Sequence, residues 1–91
     1  MKTKELKLDC IACFVGYFVG RDERLFQLSV QAGRAVHAGR DADEAEMLLQ
    51  ALIDEAWAHY RRERRSMGEW DREPYKRSLA DLAGLCGRKP L

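Results

Sequence analysis

Between residues 45 and 60 the apolar side chains fall at Ala45, Leu48, Leu49, Leu52, Ile53, Ala56, Trp57 and Tyr60. That is the i, i+3, i+4, i+7 spacing of a helix with one broad apolar face. Asp41 stands where an N-cap belongs, and Glu44 follows three residues later, the D-x-x-E form of a capping box. No proline or glycine interrupts the run. The pattern predicts a helix over residues 42–65, roughly 36 Å long at about 1.5 Å per residue. Its ends carry opposite charge: Asp41, Asp43, Glu44 and Glu46 at the start, Arg61, Arg62, Arg64 and Arg65 at the finish.

Three further helices surround it. Over residues 3–19, Leu6, Cys10, Cys13, Phe14, Tyr17 and Phe18 share one face, and Leu8, Ile11, Val15 and Val19 cover much of the other. A helix apolar nearly all round is expected to be buried from several directions, as the central member of a bundle or against a second chain. A buried strand over residues 7–19 competes, because Ile, Val, Phe and Tyr favour strands. No second strand with turn chemistry accompanies it, so helix is the reading. Gly20 ends it, and Asp22 caps a second helix over 23–38, with Leu25, Leu28, Ala32, Ala35 and Val36 facing inward and Gly39 as its stop. Gly33 costs about 1 kcal/mol of helix propensity unless a neighbour needs the close approach. The short connections make helices one to three pack up-down-up. Residues 66–73 read as a linker, and Pro74 as the first turn of a fourth helix over 74–85, followed by a frayed tail over 87–91. The expected fold is all-α: one domain, a small bundle of three to four helices.

Ninety-one residues support a single small core. Hydrophobic residues at 46% beside charged residues at 34% place the chain among globular proteins. A net charge of +1 exerts no global pull on nucleic acid or acidic surfaces, so electrostatic arguments must be local. Lys2, Lys4 and Lys7 ahead of an apolar run imitate a signal peptide, but Asp9, the missing A-x-A site and the charged residues 21–24 argue against one. The run is too short to span a bilayer, so no membrane partner is expected. Three cysteines are too few for a disulfide scaffold, and a reducing cytoplasm is the expected compartment. Abundant Arg and Ala with no Asn is the composition of a GC-rich bacterial genome, where small domains of this kind often belong to phages or plasmids.

Catalytic chemistry finds little footing. Cys10 and Cys13 form a C-x-x-C, a spacing suited to a zinc knuckle or a dithiol pair. Zinc would need Cys86, His37 or His59 from other helices to complete four ligands, and no strand precedes the motif as redox folds require. Both cysteines are therefore read as small buried hydrophobes, with zinc binding or thiol redox as the alternative. His37 fits a helix C-terminus, and His59 lies on the border of the long helix's apolar face. Neither has a nucleophile at a recognisable spacing, and no glycine-rich phosphate loop is present. No catalytic residue, metal ligand or cofactor is expected.

The partner signals are sharper. Arg61, Arg62, Arg64 and Arg65 suit the negative end of a helix dipole, and they also suit phosphates. No helix-turn-helix pattern accompanies them, which leaves nucleic acid as the second reading. Trp70, in the expected linker, either plugs the bundle or anchors a partner. Two copies of the long helix laid antiparallel would set Asp41, Asp43, Glu44 and Glu46 against Arg61, Arg62, Arg64 and Arg65, the self-complementarity of an isologous dimer. The expected function is non-enzymatic: an adaptor or inhibitor that docks on a larger protein assembly, as a homodimer.

Overall fold

The computed structural model describes residues 2–39 and 41–87, and at residues 2 and 69–71 the backbone alone. Four helices account for most of them: α1 (Lys2–Phe18), α2 (Glu23–Ala38), α3 (Ala42–Glu63) and α4 (Glu69–Leu85). The described residues contain no strand, so the chain is the all-α bundle that its periodicity predicts.

Local chemistry sets the boundaries of the two middle helices. Leu25 N–H donates to Asp22 Oδ1 and Glu44 N–H to Asp41 Oδ1, each at 3.0 Å. Each cap satisfies a donor that the helix start leaves orphaned, a contribution of about 1 kcal/mol. At the end of α2, Gly39 turns into the left-handed region at φ 63° while its N–H still reaches Ala35 C=O. A residue with a Cβ would be strained there. The Arg cluster straddles the end of α3: Arg61 and Arg62 lie in its last turn, Arg64 is its C-cap, and Arg65 follows in the turn.

α1 packs against α2 and α4, and α3 packs against the same two helices. One end of the bundle gathers Tyr17, Asp22, His59 and Gly68; the other gathers Lys4, Val36, Ala45 and Cys86. The helices therefore run up-down-up-down in a ring, with α1 and α3 on one diagonal and α2 and α4 on the other. Every helix supplies the core. Phe14 and Phe18 come from α1, Leu25 and Ala32 from α2, Leu52 and Ala56 from α3, and Leu79 and Leu82 from α4. Burying a side chain of the larger kind stabilises the fold by about 1.5–3 kcal/mol. Where α1 crosses α2, a Cβ at Gly33 would meet Ile11 Cγ2 at 3.4 Å. That is a close contact, and one that a small side chain could still make.

Two expectations need correction. α1 is a corner of the ring, and not its centre. With only two neighbours it leaves an outward arc free, so Leu6 is 50% exposed and Val19 57%, and Cys13 is exposed as well. Cys13 is thus no buried hydrophobe; Cys10 is half-buried. Second, α4 begins at Glu69, five residues before Pro74, and the connection from α3 shrinks to residues 64–68. Pro74 sits inside the helix, at the sixth position, where it can donate no backbone bond. Trp70 accordingly belongs to a helix and not to a linker; its side chain, like residues 88–91, lies outside the described residues. None of the helices described is long and apolar enough to cross a membrane.

Candidate functional site

The end of the bundle where α1 runs into α2 and α3 into α4 carries the chain's densest polar chemistry. A cleft of about 430 Å³ opens there, bordered by Tyr17, Arg21, Asp22, His59, Arg62, Glu63 and the turn residues Ser66, Met67 and Gly68.

Two of its lining residues, Tyr17 and His59, belong to an aromatic cluster drawn from three helices. Phe18 and Tyr17 of α1, His59 of α3 and Tyr75 of α4 meet edge-on or stacked, with ring centroids between 4.9 and 6.4 Å apart. Within this cluster Tyr75 Oη donates to Ala56 C=O at 2.9 Å and stands 3.3 Å from His59 Nδ1. A phenol has one proton, and the shorter contact takes it. The longer one must then run from His59 Nδ1–H to the phenol oxygen. That assignment fixes the tautomer: Nε2 carries the lone pair, and no hydrogen bond within the described chain uses it.

His59 is only 9% exposed. Burial lowers its pKa below the ordinary value of 6.5; the Asp22 and Glu63 carboxylates oppose that shift, and Arg62 adds to it. At neutral pH the ring is uncharged, an acceptor held rigidly by its neighbours. Burial also pushes the Tyr75 hydroxyl well above its usual range, which keeps it a donor.

The rim is ordered by local bonds. Arg21 lies with its Cζ 4.4 Å from the centre of the Tyr17 ring and donates through Nη1 to Tyr17 C=O at 3.3 Å. A guanidinium stacked and tethered in this way keeps most of its donors for a ligand. Asp22 spends one oxygen on its cap, and the Ser66 hydroxyl shares its one proton between Glu63 C=O at 3.0 Å and Glu63 Oε2 at 3.1 Å. Arg61, Arg62, Arg64 and Arg65 are all exposed, and none of them has an ion-pair partner among the described residues.

The remaining candidates lie elsewhere. Asp41, Asp43, Glu44 and Glu46 are exposed at the opposite end of the bundle, and His37 is exposed near the end of α2. Cys10 faces α4, and its thiol is pushed up to about 11, first by burial and then by Asp81. A thiol so held stays protonated at neutral pH and is a poor nucleophile. The described residues contain no cluster of three or more His, Cys, Asp or Glu able to hold a metal ion, so zinc binding through Cys10 and Cys13 gains no support. Sequence reasoning missed the partnership of Tyr17, Arg21, His59 and Tyr75, whose members come from three helices and a turn. The signals within reach were a histidine bordering the α3 stripe and a tyrosine on the α4 stripe. No protein-family model, curated protein or solved structure matches this chain.

Proposed function

We propose that the protein is a non-enzymatic docking module whose arginine-bearing end engages an acidic surface of a larger protein. One observation carries this reading: Arg21, Arg61, Arg62, Arg64 and Arg65 stand exposed at one end of the bundle without ion-pair partners among the described residues. Arginine forks of this kind suit carboxylates in bidentate geometry, and an unpaired cluster is free to meet them.

Self-association belongs to the same reading, on altered terms. The apolar face of α3 is spent inside the bundle, so a dimer would use the outward face. There Met47 is 71% exposed, with Asp43 one turn before it and Arg61 on the same face near the helix's other end, so an antiparallel copy would find opposite charge at both ends. The test is affinity capture from a nuclease-treated extract, with wild type beside a variant carrying alanine at Arg61, Arg62, Arg64 and Arg65. Sedimentation of the same samples accompanies it. We expect a defined protein held by wild type and released by the variant. A duplex DNA shift whose affinity falls steeply with salt would move the assignment to nucleic acid. A monomer at high micromolar concentration would remove the dimer.

A further inference from the structure

The cleft holds a feature that a charged docking patch does not need, a neutral imidazole whose Nε2 has no hydrogen bond within the described chain and stands as an acceptor. A bare oxyanion set against Arg21 and Arg62 would confront that lone pair with another. A ligand satisfies both only if it carries a negative group and, next to it, a hydrogen-bond donor. A chain terminus has this arrangement: the carboxylate and the backbone N–H of the last residue flank the same Cα.

We propose that the cleft captures the C-terminal carboxylate of a partner polypeptide. Its two oxygens meet the Arg21 and Arg62 guanidiniums, while the N–H of the terminal residue donates to His59 Nε2. Arg21 is pre-set for this by its stack on Tyr17 and its bond to Tyr17 C=O. Tyr75 holds the acceptor nitrogen in place through Nδ1. Asp22 and Glu63 share the lining and balance the two arginines, so a simple anion gains little from charge alone and geometry decides. Tyr17 and Met67 supply apolar surface for the terminal side chain. The volume, about 430 Å³, falls among clefts that hold small ligands. Terminal carboxylates are a recurring recognition element. The inference rests on the docking reading for its partner class and shares Arg62 with it.

The test is a nuclear magnetic resonance titration of the isotope-labelled full chain with N-acetyl-leucine, following the His59 ring and the Gly68 amide. Saturable shifts confined to the cleft lining, Tyr17, Arg21, His59, Arg62 and the 66–68 turn, are expected. N-acetyl-leucinamide lacks the charge and isocaproate lacks the N–H, so each should bind about tenfold more weakly, as should N-acetyl-leucine to Arg21→Ala. Arg21 is exposed, so that variant retains the core. Equal affinity for the amide or for isocaproate overturns the proposal, as does tighter binding of inorganic phosphate or of an aspartate side-chain model, N-acetyl-aspartate methylamide. Docking through Arg61, Arg64 and Arg65, which do not line the cleft, is read by extract capture. A silent titration beside intact capture therefore sinks the cleft alone.

Discussion

Tyr75 joins α4 to α3 with one oxygen, donating to Ala56 C=O and accepting from His59. Tyr75→Phe removes both bonds and strands a buried imidazole N–H. Equilibrium denaturation should register a loss of about 1–3 kcal/mol with the fold retained. His59 has a second signature. Its folded-state pKa lies below 6.5, so the unfolded chain binds the proton more readily. The stability tied to its neutral form is complete above 6.5. It is lost as pH falls through 6.5 towards the folded-state value, and then levels off. Urea midpoints measured between neutral and mildly acidic pH should fall in wild type, and fall less in His59→Gln. Equal slopes for the two would refute the assignment.

Pro74 marks the weakest stretch of α4, since one helical turn there lacks a backbone donor. Its side chain is exposed, so Pro74→Ala costs no packing. Thermal unfolding should show a gain of about 2 kcal/mol, the recovered helical bond less the entropy that proline removes from the unfolded chain. The same residue explains why α4 was only half legible. Proline in a first turn and proline in a tolerated interior look alike from sequence. α2 and α3 were read almost whole because caps and stripes are local signals: Asp22, Gly39 and Asp41 act where they stand. The central place expected for α1 failed because periodicity says which positions are apolar, and not how many neighbours within the chain exist to cover them. Leu6 and Val19 stay out because a ring of four gives α1 two neighbours. The cleft was illegible for a related reason. Arg21 and His59 are 38 residues apart, and only the antiparallel turn-back sets them side by side.

In the assembled bundle the arginine cluster and the acidic start of α3 lie at opposite ends. Arg21, Arg61, Arg62, Arg64 and Arg65 stand at the end of the bundle that holds the cleft, beside Asp22 and Glu63, and Asp41, Asp43, Glu44 and Glu46 stand at the far end, beside Lys4 and Lys7. A net charge of +1 conceals that division. The far end also has a topological meaning. Thr3 and Lys4 of α1 border the same hollow as Leu85 and Cys86, where α4 finishes. Three of the ring's four junctions are covalent, and the fourth, α4 to α1, is closed by packing alone. A chain rejoined at that junction and cut within residues 64–68 would keep every helix pair in place. The four helix pairs thus define the ring, whichever of its junctions the backbone crosses.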